Sequence, residues 1–377
     1  MTDAELLVEA AERFGTPLYV TDLDRATARA EAWRDALPGA LVAYAVKANP
    51  DPALLHRLAA EGFGFEVVGP VELALALRAG ANPRRIVVNG VGQTDTDLAA
   101  ALGSGALVNA ESLGALEALL RSEGGRIGIR VNPGIAADTH PHLATGAMDS
   151  KFGIALDELA AARHALDGSG RHPESIGAHV GSDIDDVAAF SKLADVVAGV
   201  ARDFGVGRVD LGGGFTGPPM ELAAAIRPHL PDPARLIVEP GRSVVADTGW
   251  LLTRVVRVQA RGHLVADAGM TELIRPILYG AHHPVSVLRR GGSSKDRSWT
   301  LSGPVCEAGD VLAADLSLGP DVGEGSLLAV AEVGAYGLAM ASGYNGRLLP
   351  AQAVIESGQV RLSRRRQTFE DVIARDA

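Results

Sequence analysis

Four short stretches carry side chains able to do chemistry. In Tyr44-Ala45-Val46-Lys47-Ala48-Asn49-Pro50 an apolar run that begins at Leu41 ends on a lysine and then turns at Asn-Pro. A lysine left buried and unpaired lowers its pKa and becomes a neutral amine, the form that makes an imine with pyridoxal phosphate or a carbonyl substrate. A lysine snorkelling to water from a strand end is the bland alternative. Gly212-Gly213-Gly214 follows a second apolar run, and residues without a side chain let backbone N–H groups approach a phosphate closely. His179, in Ala178-His179-Val180-Gly181-Ser182, is either a satisfied core histidine or a ring lying flat on an aromatic cofactor. Glu239 closes a further apolar run, and a buried carboxylate needs a partner such as a protonated pyridine nitrogen. Together, a lysine, a stacking histidine, phosphate-binding glycines and a pyridinium-pairing glutamate describe one cofactor site, that of pyridoxal phosphate.

These residues need a scaffold that brings them to one place. Apolar runs recur at 41–47, 64–68, 85–89, 106–109, 126–131, 175–180, 208–211 and 236–239, with amphipathic Ala/Leu stretches such as 52–61, 70–79 and 112–121 between them. Eight strand signals alternating with helices predict a (β/α)₈ barrel, an α/β fold, with a doubly wound open sheet as the rival. A barrel collects function at the carboxyl ends of its strands, and Lys47, Asn89, Glu111, Asn132, His179, Gly212-Gly213-Gly214 and Glu239 all stand there. After Arg242 the pattern changes to β-type runs without intervening helices, at 249–258, 285–288, 299–302, 326–332 and 352–355. The chain thus divides into a barrel over 23–245 and a β-rich domain from 1–22 and 246–377, the early strand at 16–21 joining the latter. The segment 289–297, with Gly291-Gly292-Ser293-Ser294, reads as an exposed hairpin loop.

Composition narrows the class. With 377 residues, 47% apolar content and 45 glycines, the chain supports a large core rich in turns, and a net charge of −11 argues against nucleic acid or an anionic membrane as partner. A single cysteine, Cys306, excludes an internal disulfide framework, while the first residues lack a signal-peptide pattern; the expected setting is the cytoplasm. Adjacent His282-His283 invites a metal reading, yet neighbouring strand residues face opposite sides, so no metal site is expected.

The chain resembles the fold-type III pyridoxal-phosphate decarboxylases of the alanine racemase-like barrel group, and within them the diaminopimelate branch. The resemblance rests on Tyr44 to Asn49, His140-Pro141-His142 with Thr145-Gly146 and Ser150-Lys151-Phe152-Gly153, His179 to Ser182, Gly212 to Gly214, and Glu239 to Ser243. It continues through Asp267 to Met270, Ile274-Arg275-Pro276 to Tyr279-Gly280-Ala281, Gly303 to Asp310 and Gly334 to Gly337, in family order over nearly the whole chain. It implies that Lys47 holds the cofactor as an imine, that His179 covers the ring, that Glu239 pairs with the ring nitrogen, and that Ser182, Gly213, Gly214 and Tyr336 bind the phosphate. It further implies that Arg242, Arg275 and Tyr279, with Tyr336, bind substrate. Cys306, as a proton donor, and Glu307, facing the distal amino group, would come from the second subunit of a homodimer.

The implied reaction is decarboxylation of meso-2,6-diaminopimelate to L-lysine. Departures at Asn89-Gly90-Val91-Gly92-Gln93-Thr94, at Phe215-Thr216-Gly217-Pro218-Pro219 and at Glu66, where aspartate is usual, keep a related dicarboxylic or carrier-linked amino acid open as substrate. A non-catalytic pyridoxal-phosphate-binding relative is the alternative from outside enzymology, although such a chain should have lost Lys47 or Cys306. Alanine racemase, the rival enzyme, uses tyrosine as second acid and arginine at the ring nitrogen.

Overall fold

The computed structural model describes residues 2–135, 146, 149–230, 232–292, 297–374 and 376. His140, Pro141, His142 and Thr145, and the Ser293-Ser294 part of the hairpin loop, lie outside them. The chain forms two compact units, one of Met1–Ala26, Asp51–Leu54 and Val245–Ala377, the other of Thr27–Pro50 and Leu55–Val244.

In chain order the first strands are β1 (Leu18–Asp22), β2 (Leu41–Ala45), β3 (Gly64–Val67), β4 (Ile86–Val88), β5 (Leu107–Ala110), β6 (Arg126–Asn132), β7 (Ile154–Ala155), β8 (Ser175–Gly177), β9 (Arg208–Asp210) and β10 (Leu236–Val238). Parallel pairing runs β5-β4-β3-β2-β10-β9-β8-β6, and β6 pairs back onto β5, so the sheet closes on itself. An open doubly wound sheet has two free edges, and closure excludes it. The fold is the (β/α)₈ barrel. All eight runs read from the sequence are strands, each within a few residues of its expected ends. The short β7, an addition to β6, was not anticipated.

The barrel interior is graded along its axis. At one end Ala43, Val87, Leu107 and Ile237 form a buried apolar cluster. They come from β2, β4, β5 and β10, strands that are not all neighbours, so they meet inside the ring. Strand side chains alternate, and two residues further on stand Ala45, Asn89, Asn109 and Glu239. The same two-residue step carries Gly64 to Glu66, Gly128 to Arg130 and Ser175 through Gly177 to His179. Each inward row thus begins small or apolar and mostly ends polar at the carboxyl mouth. On the opposite rim Arg126 of β6 makes a forked pair with Glu174 at 2.6 and 2.7 Å, and Arg208 of β9 adds 2.7 Å to the same carboxylate. These contacts tie three neighbouring strand starts and hold the Glu174 carboxyl below its usual range, chiefly through the Arg126 hydrogen bonds.

The second unit is a mostly antiparallel sheet. Its further strands are β11 (Gly249–Gln259), β12 (His263–Ala266), β13 (Val285–Arg289), β14 (Ser298–Ser302), β15 (Val311–Ser317), β16 (Leu327–Ala331), β17 (Ala351–Glu356) and β18 (Gln359–Arg364). β1 lies between β11, antiparallel, and β17, parallel, which places the early strand in this sheet as expected. The sequence reading passed over β12, β15 and β18, and also a helix at Asp3–Phe14. That helix carries a legible start, a capping box in which Thr2 and Glu5 hydrogen-bond each other's backbone N–H. Leu6, Leu7, Ala10 and Ala11 on its inner face are buried with Leu18, Val20, Leu252 and Ala353.

Leu107 is 1% exposed within the ring cluster. Leu107→Ala should lower stability by about 2–4 kcal/mol, the range for deleting a fully buried leucine side chain, measured by urea unfolding of the full chain.

Candidate active site

Lys47 does not end the strand, as the sequence suggested, but sits in a one-turn 3₁₀ segment, Val46–Ala48, just beyond β2. The Tyr44 hydroxyl donates to Asn49 O at 3.1 Å, which fixes the Asn-Pro turn that follows. The amine is neither fully buried nor unpaired. Its side chain keeps about a third of its surface (37%) and makes a close ion pair with Glu66, which is 1% exposed at the end of β3.

Glu66 belongs to a chain of contacts across the mouth. Asn89, just past β4, donates through Nδ2 to Glu66 Oε1 at 3.2 Å and to Glu239 Oε1 at 2.9 Å. Its own Oδ1 accepts Asn109 Nδ2 of β5 at 2.9 Å. Glu239 follows β10 and is buried, as are Asp210 at the end of β9 and Arg130 in β6. Arg130 pairs with Glu111, past β5, at 3.0 Å, and its guanidinium lies over the Phe152 ring at 5.0 Å. Asn89, Asn109, Arg130, His179, Asp210 and Glu239 line one small cavity.

Electrostatics follow from this crowding. Burial, then the neighbouring Asp210 and Glu66 charges, push the Glu239 carboxyl well above the usual carboxylate range. Burial raises Asp210 as well, to about 6. His179 moves the other way: desolvation first, then the charges of Arg130 and Lys47, hold it well below 6.5. Its ring is therefore neutral at physiological pH, and Nδ1 accepts the Gly213 N–H at 3.2 Å.

The glycine turn packs against the loop after β8. Gly214 O accepts Ile184 N–H at 3.0 Å and Ile184 O accepts Thr216 N–H at 2.9 Å. Gly214 has φ +100°, and a Cβ there would run into Gly181 O; a Cβ on Gly213 would run into Glu239 O. Only glycine fits either place. Ser182 lies in the same loop, next to Asp183, whose carboxylate is 3.7 Å from Arg242 Nε. The amine of Lys47, the neutral His179 ring, the buried Glu239 carboxyl and the glycine turn Gly212 to Gly214, packed on the Gly181-Ser182 loop, thus share one barrel mouth.

The profile described as "Pyridoxal-dependent decarboxylase, pyridoxal binding domain" matches residues 23–246. The chain belongs to the pyridoxal-dependent decarboxylase family. It is 39% identical to diaminopimelate decarboxylase of Deinococcus radiodurans, over 98% of this chain and 97% of that one. To the Pseudomonas aeruginosa enzyme of the same name it is 40% identical, over 99% and 97%. Among solved structures, Helicobacter pylori diaminopimelate decarboxylase complexed with L-lysine matches with TM-score 0.90 and 32% identity over 98% of both chains. Lysine/ornithine decarboxylase of Vibrio vulnificus, at TM-score 0.82 and 22% identity, shares the fold.

The cofactor of the family is pyridoxal phosphate, and the mouth fits it on chemical grounds. A glycine turn at which two loops approach without side chains suits a phosphate, a buried carboxyl suits a ring nitrogen, and an amine on a short turn suits the carbonyl carbon. The structure brings Lys47, His179, the glycines and Glu239 to one mouth and adds Asp210, Asn109 and Arg130, which the sequence reading had not singled out. For Asn109 and Arg130 the signal was the two-residue step from Leu107 and Gly128; Asp210 follows Arg208 and carried no such signal.

Arg275, Tyr279, Cys306, Glu307 and Tyr336 belong to the β-rich unit. Arg275 is buried at the start of the helix Arg275–Tyr279, its guanidinium 5.6 Å from the centre of the Tyr279 ring. Cys306 and Glu307 stand exposed on a turn organised by Asp310, which accepts Met270 N–H at 2.6 Å and Val305 N–H at 2.8 Å. Tyr344 donates its hydroxyl to Glu307 Oε1 at 2.6 Å. Tyr336 adopts φ +57°, a left-handed conformation uncommon for a side chain of its size. His282 is exposed and His283 buried, ahead of β13. Among the described residues no group of three or more His, Cys, Asp or Glu could hold a metal ion, and no helix is long and apolar enough to cross a membrane.

Gly214→Ala should weaken pyridoxal phosphate binding about five- to 150-fold, the equivalent of ~1–3 kcal/mol of backbone strain, without changing the far-UV circular dichroism. Equilibrium titration of the stripped protein, followed by visible absorbance, measures it.

Proposed function

We propose that the chain removes carbon dioxide from meso-2,6-diaminopimelate to give L-lysine, as a cytoplasmic homodimer whose residues 23–245 are the cofactor-binding domain. The observation that carries this reading is the near end-to-end similarity, 98% of this chain against 97% of the relative, to an enzyme named for diaminopimelate decarboxylation. Retention of Lys47 and Cys306 in the expected segments supports a working enzyme over a non-catalytic relative.

Pyridoxal phosphate, when bound, supplies an electron-accepting ring for the electron pair left as the carboxyl group departs. Glu239 holds a proton at the ring nitrogen and so keeps that ring electron-poor. His179, neutral, adds no positive charge to a site that already carries Lys47 and Arg130. The Gly213-Gly214 turn, with Ser182 and Tyr336, would hold the phosphate. Lys47 provides the amine that anchors the cofactor. Cys306 of the partner subunit delivers a proton to the substrate carbon, the partner subunit's Glu307 faces the distal ammonium, and Arg242, Arg275 and Tyr279 grip the distal carboxylate with forked donors and a hydroxyl.

A substrate without the distal carboxylate leaves those arginines unmatched, at about 2–5 kcal/mol by comparison with truncated buried charge pairs. Diaminopimelate should therefore exceed lysine and ornithine in kcat/KM by about 30-fold to several thousandfold, and Arg275→Ala should erase most of that preference. Carbon dioxide release from diaminopimelate, lysine, ornithine and glutamate measures it. Indifference of the wild type to diaminopimelate would overturn the substrate and leave the family untouched; a faster dicarboxylic relative would point to the altered Gly90 and Gly217 turns.

The shared site has a separate test. Mixing inactive Lys47→Ala with inactive Cys306→Ala chains should restore part of the activity, because one of the two sites in each hybrid dimer then holds both residues. No recovery after confirmed subunit exchange would count against the shared arrangement.

A further inference from the structure

Asp210 joins the two halves of the barrel mouth. Its Oδ1 accepts the Gly212 N–H at 2.8 Å, at the first glycine of the phosphate cradle, and its backbone carbonyl accepts the Ala178 N–H at 3.0 Å, next to His179. Its Oδ2 is buried with no hydrogen-bond donor among the described residues. The neighbour is Glu239, buried alike in the same cavity, with its own backbone N–H fixed to Gly212 O at 2.8 Å. Two carboxyls buried side by side cannot both ionise, and a proton on one satisfies the orphan oxygen of the other.

We propose that Asp210 and Glu239 share one proton, and that Asp210 is thereby the positioning residue that keeps Glu239 loaded for the cofactor's ring nitrogen. The groups facing the pair are Glu66 on β3, Lys47 beyond β2, Arg130 on β6 and His179 beyond β8, with Asn89 donating to Glu239 from β4. Glu66 strengthens the hold on the proton; Arg130 and Lys47 limit it to one. With the cofactor bound, the proton held by the pair would lie between Glu239 and the ring nitrogen, and Glu239 would face that nitrogen as the carboxylate when the nitrogen carries it. Only its destination rests on the pyridoxal phosphate assignment.

Two measurements on the full chain test this. Asp210 rises from 3.8 to about 6 on folding, so its contribution to stability is complete below the lower value and is lost as pH climbs through the upper one. Without cofactor, the thermal midpoint of the wild type should therefore drop by several degrees relative to Asp210→Asn between about pH 4 and about pH 6. Glu239→Gln, whose amide supplies the missing donor, should flatten the profile in the same way, and it decides this arm if Asp210→Asn fails to fold. In the second measurement, calorimetric titration with pyridoxal phosphate in buffers of different ionisation enthalpy should show Asp210→Asn taking up about one more proton per site than wild type, because its amide holds Glu239 ionised beforehand. Parallel pH profiles with equal proton counts would overturn the proposal, even if the variant binds cofactor weakly, since a role confined to the Gly212 turn changes affinity alone. Failure of any chain to bind pyridoxal phosphate would instead strike the cofactor assignment, with the stability profiles still deciding the pair.

Discussion

Four carboxyl groups, Glu66, Glu111, Asp210 and Glu239, are buried at one mouth of a parallel barrel, and the surrounding structure is arranged to make that tolerable. An isolated buried carboxylate is costly, and four together are worse. Glu66 is matched by Lys47, Arg130 is matched by Glu111, and Asn89 spends both protons of one amide on two different carboxyls. The Lys47 pair reaches water, so its net contribution to stability is small. Its effect is on position: it fixes the Lys47 amine at the mouth beside Glu66.

The same mouth fixes two loops against each other. The turn after β9 and the loop after β8 exchange backbone hydrogen bonds at Ile184, Gly214 and Thr216, like a fragment of sheet added beyond the barrel's end. Short strands, only three residues at β8 and β9, leave the chain free to diverge there and form this cradle without breaking the ladder below. The close approach of these two loops is therefore set by the backbone, and the side chains at these places only have to be absent.

Much of this was legible beforehand. The eight runs alternating with helices gave the barrel, because a strand buried on both faces reads as a continuous apolar stretch. The residue types at strand ends gave the mouth. The sheet of the second unit was read less completely: β15 is patterned with exposed Asp315 and Ser317, and β18 carries two arginines, Arg361 and Arg364, so neither shows the apolar run that flagged its neighbours. Lys47 was misjudged for a different reason. Its counter-charge, Glu66, lies 19 residues away on the adjacent strand, and a sequence pattern reports a residue's own neighbourhood but not the register that brings a distant one beside it.

The turn bearing Cys306 and Glu307 illustrates how exposure and order can coexist. Asp310 gathers the Met270 and Val305 N–H groups on its two oxygens, and its own backbone links to Gly303 and Glu307. A projecting loop of this kind is usually entropically loose; this one is tethered from its base before anything meets it. A surface that docks there encounters a shape already set, so the encounter loses rigid-body freedom and little loop entropy. Association through this turn would then carry the thermodynamic signature of lock-and-key contact, a modest heat-capacity change scaled to the area covered, and not the larger one of a segment that folds as it binds.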